Sequence, residues 1–287
     1  MLITAYFLYL KFKIILSKDI HVNPGPSDLR GKLSLATWNI NSILARNKSK
    51  IQLIEALQAN ENFDLFGIGE SFLSKKIKNK DIEITGFAND PFRADSPSSE
   101  THPKGGVCLY YKENIPIKQR KDLQLINECV VAEIKLNRNK NIFFILAYRS
   151  PSQNSDELSA FFKGIEQIIT CAKNEKPAMI ILAGGLNARS PLLWSGETCE
   201  NSAGKKLSEI LIMENMDQII DEPTHHPTDG IETCIDLMIT NNPSAVVDHG
   251  VSPSLDSHCK HKFLCTTSPK IQTQDLGLQS VQHKKTL

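Results

Sequence analysis

From Lys32 onward, two spacings of apolar residues alternate along this chain. LSLATWNI (residues 33–40) and FDLFGIGES (63–71) are short apolar runs of strand length. GGVCLYY, CVVAEIKL, NIFFILAY, PAMIILAGG and CIDLMIT follow as further strands, rich in β-branched and aromatic residues. Helical spacing occupies Lys50 to Gln58, then Asp156 to Cys171, where Ser155 is the expected N-cap before Asp156 and Glu157. A further helix is predicted over Lys205 to Met213. Many strands with a few interposed helices predict an α/β sandwich, two packed sheets covered by helices.

The ends of the chain read differently. Residues 1–31 open with the apolar leader MLITAYFLYLKFKIIL, which Lys11 and Lys13 interrupt. A membrane span needs about 20 mostly apolar residues, so no stable membrane insertion is expected. From Thr266 to Leu287 the sequence is polar and without period, and a flexible tail is expected. The globular domain is therefore placed at 32–265. Formal net charge over 287 residues is +1, so any nucleic-acid surface must be a local patch such as Lys75, Lys76, Lys78 and Lys80. Seven cysteines, scattered and never spaced CxxC, argue against a disulfide framework or a zinc site and for a reducing, intracellular setting, nucleus or cytoplasm. His225 and His226 are candidate metal ligands, but with no second ligand cluster nearby a Pro-flanked turn is expected, and the Ser/Pro-rich segment from Arg93 to Pro103 is expected in an exposed loop.

Chemistry is suggested by polar residues at the ends of the apolar runs. Asn39 ends LSLATWN, Glu70 ends FDLFGIGE, Tyr148 ends NIFFILAY and Asn187 follows PAMIILAGG. In layered folds such strand ends and the loops after them form the cleft. Asp236 lies inside an apolar run, where a carboxylate is costly unless paired, hydrogen-bonded or bound to metal.

The strings T-W-N-I-N (37–41), G-E-S-F-L (69–73), A-Y-R-S-P (147–151), G-G-L-N-A-R-S-P (184–191) and C-I-D-L-M-I-T (234–240) occur in the order of the endonuclease/exonuclease/phosphatase superfamily. The Asn187–Trp194 and Tyr148–Pro151 strings resemble its non-LTR retrotransposon endonuclease branch. That resemblance implies an α/β four-layer sandwich of two packed, mostly antiparallel sheets flanked by helices. It implies Glu70 as the main ligand of Mg²⁺ (or Mn²⁺) with Asn39 assisting, and Tyr148 on the phosphate. It further implies Asn187 positioning the phosphate or attacking water, and Asp236 orienting a catalytic histidine. The substrate implied is double-stranded DNA, with a reverse transcriptase domain as neighbour in an intact element. Separately, Asp19, Asn23, Pro24, Gly25 and Pro26 in DIHVNPGP resemble the ribosome-skipping peptides of picornaviruses, with His21 where that pattern has Glu.

Two departures bear on activity. Gly185 stands where the family's G-D-x-N aspartate belongs, and general acid–base assistance is worth about 10²–10⁴ in rate. In S-L-D-S-H-C-K-H-K-F-L, alignment on the following strand makes His261 the histidine, with Lys260 in place of the acid; alignment on the acid gives Asp256 and His258. His261 is preferred, because Phe263 and Leu264 must enter the strand behind it. The expectation is a truncated, impaired metal-dependent DNA endonuclease. The alternatives are a non-catalytic nucleic-acid-binding or interaction module, or a related phosphatase.

Overall fold

The computed structural model describes residues 32–96, 103–137, 140–175, 178–227, 230–254, 256 and 259–269. The ribosome-skipping-like residues Asp19, Asn23, Pro24, Gly25 and Pro26, and His258, lie outside them. In chain order the first half contains β1 (Lys32–Asn39), α1 (Ala45–Glu61), β2 (Leu65–Gly69), β3 (Phe92–Ala94), β4 (Val107–Tyr111), β5 (Ile117–Gln119), β6 (Cys129–Asn137) and β7 (Lys140–Ala147). Then come α2 (Ser155–Glu175), β8 (Ala178–Gly185), α3 (Ser202–Met213), β9 (Asp217–Gln218), β10 (Asp236–Thr240), β11 (Asp248–Ser252) and β12 (Phe263–Pro269). No helix among the described residues is long and apolar enough to cross a membrane.

The strands form two six-stranded sheets, ordered β11-β12-β1-β2-β4-β3 and β5-β6-β7-β8-β10-β9. Each is antiparallel except for one central parallel pair, β1 with β2 and β7 with β8. Parallel neighbours need a long crossover, and α1 and α2 provide it. The consequence is positional. A parallel pair brings the C-terminal ends of both strands to one edge, so Asn39 pairs with Gly69, next to Glu70, while Tyr148 leaves β7 beside the end of β8. The antiparallel partners bring their starts to the same edges: Asp236 lies opposite Gly185, and Phe263, two residues after His261, opposite Trp38.

Packing yields the four layers. Leu33, Leu35 and Leu65 of the first sheet join one core with the second sheet and with Phe162, Ile165, Leu207 and Leu211 of α2 and α3. Ala36, Trp38, Phe66 and Ile68 point the other way, into a second core with Ile51 and Ile54 of α1. The sheets approach closely at Gly67, where a Cβ would lie 2.9 Å from Leu146 Cδ1 of the other sheet.

Several boundaries differ from expectation. Helix α1 begins five residues before Lys50 and ends in Asn62, whose left-handed backbone (φ 56°) lets its N–H reach Gln58 O. Its buried face includes Lys50 and Gln58, whose side chains donate to main-chain carbonyls, so hydrophobic spacing understates its length. The cap of α2 is Asn154 rather than Ser155; its Oδ1 accepts from the N–H of Asp156 and Glu157, both at 3.0 Å. Arg93 belongs to β3 and its guanidinium ties down Ser74 O, Ile77 O and Asn79, so the exposed-loop reading fails at that residue. Strand β12 continues to Pro269, into the segment expected as a tail. It lies between β1 and β11, where ladder bonds on both sides satisfy its main chain and Thr266 Oγ1 donates to Asp248 O at 2.7 Å.

Candidate functional site

The polar residues singled out in the sequence gather at the shared edge of the two sheets. Glu70 directly follows β2 with a left-handed backbone (φ 49°), and Asn187 closely follows β8 with φ 50°. Such conformations cost about 1–3 kcal/mol and persist where surroundings impose them. At Glu70 they do: Ser42 N–H donates to Glu70 O (2.8 Å), and the next residues, Ser71 and Phe72, donate to Gly106 O and Gly105 O. The turn sets the Glu70 carboxylate against the Asn39 amide, with Asn39 Nδ2 3.4 Å from Glu70 Oε1.

Tyr148 extends β7 with its N–H on Glu128 O (3.0 Å) and its hydroxyl in the field of the Glu70 carboxylate. Its ring has room because glycine lies on two sides: a Cβ on Gly105 would come within 3.1 Å of the ring and one on Gly185 within 3.4 Å. Burial, then the Glu70 charge, pushes the phenol well above its ordinary value, so it stays a neutral hydroxyl. Arg149 turns away from the cleft. Its buried guanidinium donates to Leu186 O (2.7 Å) and Asn187 O (3.0 Å), and Asn187 Nδ2 returns a bond to Arg149 O (2.7 Å). The Asn187 amide nitrogen is thus engaged with main chain.

At the same edge, His261 Nδ1 lies 2.7 Å from Asp236 Oδ2. Thr224 Oγ1 accepts the N–H groups of Ile235 and Asp236, fixing the start of β10. Burial alone would lower the proton affinity of His261. The Asp236 carboxylate, by charge and hydrogen bond, and then Glu70, outweigh it, so its pKa is raised. Asp256, the acid of the alternative alignment, is buried and faces Lys50 Nζ at 3.6 Å; that cation also donates to the carbonyls of Ile40 and Asn41.

Gly185 stands at the centre. A Cβ there would lie 3.0 Å from Asn39 Nδ2 and 3.1 Å from Asp236 Oδ1. Asn39 Oδ1 and Asp236 Oδ1 are buried without a hydrogen-bond partner. Orphaned buried acceptors are uncommon, and one on each of the two side chains that flank position 185 marks where a cation or donor is wanted. Among the described residues no three His, Cys, Asp or Glu side chains converge to hold a metal by themselves. One carboxylate with an orphaned amide oxygen still suits a hard cation such as Mg²⁺, which usually takes one or two carboxylates and completes its shell with water and phosphate oxygens. Asn39 and Glu70 fit that role.

Two contributors escaped the sequence reading. Glu128, immediately before β6, has a left-handed backbone, accepts from Gly106 N–H (2.8 Å) and adds negative charge beside Tyr148 and Glu70; burial raises its pKa. An acid abutting an apolar run was its only signal. His225 lies in a short β-bridge rather than a turn, its ring 4.6 Å from that of His261. Nothing local in sequence links residues 36 positions apart. Conversely, the Asn187–Trp194 string shapes its own loop: Arg189 forms two 2.8 Å bonds to Glu197, and Trp194 Nε1 donates to Asp221 O. Lys75, Lys76, Lys78 and Lys80 are exposed on the loop that follows Glu70. A cleft of about 480 Å³ at the far end of β7 is lined by Arg120, but Asp122, Glu133 and Glu175 already occupy its guanidinium.

Residues 142–264 match the family model described as endonuclease-reverse transcriptase. No curated protein matches the chain. Among solved structures it is similar to the endonuclease domain of TRAS1, a telomere-specific non-LTR retrotransposon, at 14% identity over 83% of this chain and 98% of that one (TM-score 0.62). It is similar also to the AP endonuclease LMAP from Leishmania major, at 14% identity over 87% and 92% (TM-score 0.69). A third likeness is to an AP endonuclease from Archaeoglobus fulgidus, at 14% identity over 82% and 98% (TM-score 0.56).

Proposed function

We propose that this chain, a domain of the endonuclease/exonuclease/phosphatase superfamily of the retrotransposon type, is built for hydrolysing phosphodiesters of double-stranded DNA and is impaired at Gly185. The observation that carries the reading is the 2.7 Å His261–Asp236 pair at the same sheet edge as the Asn39–Glu70 pair and Tyr148. Because Nδ1 of His261 faces Asp236, Nε2 is the nitrogen left for a substrate oxygen. The raised pKa keeps a proton available there to neutralise charge on the phosphate. Tyr148, held neutral, donates to a phosphate oxygen. Asn39 and Glu70 would hold Mg²⁺ or Mn²⁺, which when bound offsets charge developing on phosphorus and on the leaving 3′ oxygen. At position 185 no carboxylate is available to orient or deprotonate the attacking water. In an intact element the domain would work beside a reverse transcriptase domain, inside the cell.

Gly185 also supports a second reading, a non-catalytic nucleic-acid-binding module that keeps the phosphate-reading edge. Nicking of supercoiled plasmid in Mg²⁺ or Mn²⁺ separates the two. The wild-type chain is expected to nick weakly or not at all, and Gly185→Asp to raise the rate by about 10²-fold or more. No gain in a natively folded Gly185→Asp protein would remove the hydrolytic reading.

A further inference from the structure

Two histidines meet at the site, and the proposed chemistry occupies only His261. Main-chain bonds explain why they meet. His226 N–H donates to Lys260 O (2.9 Å) and Lys262 N–H to Thr224 O (2.8 Å), so these bonds flank the directly opposed residues His225 and His261. That makes the two histidines a non-hydrogen-bonded antiparallel pair, the kind in which Cα atoms lie nearest and side chains on one face are pressed together. On its other side His225 is locked by a reciprocal pair with Thr233: His225 N–H to Thr233 O at 2.9 Å and Thr233 N–H to His225 O at 3.1 Å. Thr233 Oγ1 lies 3.4 Å from His225 Nδ1. The outcome is a tilted ring contact, centroids 4.6 Å apart and planes at 48°.

We infer that His225 is a positioning residue for His261: the three-stranded patch holds its ring against one face of the His261 ring, which keeps Nδ1 of His261 on Asp236 and Nε2 toward the cleft. This rests on the reading of His261 as the working histidine. The position asks for an aromatic ring that stays uncharged. A charged neighbour would repel the imidazolium of His261, whereas a neutral ring packs against it. The surroundings keep His225 neutral, with burial first and then the His261 charge bringing its pKa down to about 4; Lys260 and His226 act in the same direction, and Asp236 opposes them. His261 itself faces Asp236 and, farther off, Glu70.

The test needs neither metal nor DNA. Protein labelled with ¹⁵N and ¹³C in histidine is titrated by NMR, following the imidazole signals of His261 and the downfield proton of its Nδ1–H. In His225→Ala that proton signal is expected to be lost to exchange, and the His261 titration midpoint to fall toward the ordinary value of about 6.5. His225→Phe, which restores a neutral ring, is expected to keep both features of the wild type. Should His225→Ala fail to fold, His225→Asn, which has no ring, is expected to give the same loss. Unchanged His261 signals in a folded ring-less variant would overturn the inference, and so would a His225→Phe protein that behaves like the alanine variant. Because the readout is the histidine itself, failure of plasmid nicking leaves this result standing, and its own failure leaves the nicking result standing.

Discussion

His225 and His261 share a contact but titrate in opposite directions, and stability should register both. The pKa of His261 is higher folded than unfolded, so its contribution is complete below about pH 6.5 and is lost as pH rises through the raised value. The pKa of His225 is depressed to about 4, so its contribution is present above about pH 6.5 and is lost as pH falls toward 4, where the unfolded chain binds a proton that the folded chain refuses. Thermal midpoints measured between pH 4 and 8 are expected to fall on the acid side in the wild type. His225→Phe should flatten that acid-side fall. An equal fall in the variant would mean that His225 does not carry it. The sequence offered Asn39, Glu70, Tyr148 and Asn187 as polar residues at the ends of apolar runs, Asp236 as an acid inside one, and His261 through the family resemblance. It could not offer His225, which acts through cross-strand pairing with a residue 36 positions away.

At the scale of elements, the strands were legible because β2, β4, β7, β8 and β10 are mostly apolar runs buried on both faces. Caps and short edge strands were less so. Asn154 and Ser155 are both good N-caps, and only the observed bonds choose between them. The second half of β12 reads as tail because its residues are polar, whereas main-chain ladders to β1 and β11 hold it in the sheet. One backbone position ties β8 to β7 beside the site. Gly184 has φ +130°, and a Cβ there would lie 2.1 Å from Ala147 O, an atom of the neighbouring backbone. Gly184→Ala combines a disallowed conformation with that clash, and is expected to destabilise by at least about 3 kcal/mol. Urea unfolding should show a lower midpoint with unchanged slope. A midpoint within error of the wild type would mean that β8 does not run as close to β7 as described.

Across the whole molecule, two parallel pairs and their antiparallel partners bring Asn39, Glu70, Tyr148, Asp236 and His261 to one edge, and the sequence motifs carried that architecture because their order matches strand order. What they could not carry is the state of the centre. Asn39 and Asp236, the side chains that flank Gly185, each keep a buried oxygen without a hydrogen-bond partner, a property of the assembled structure and of no single segment. The claim that the edge is a divalent-cation site is tested most directly by an anomalous difference map from a crystal equilibrated with Mn²⁺. A peak is predicted within coordination distance, about 2.0–2.6 Å, of a Glu70 carboxylate oxygen, with Asn39 Oδ1 beside it. A map without density there, or with the ion bound only at the Arg120 cleft or the protein surface, would contradict the account.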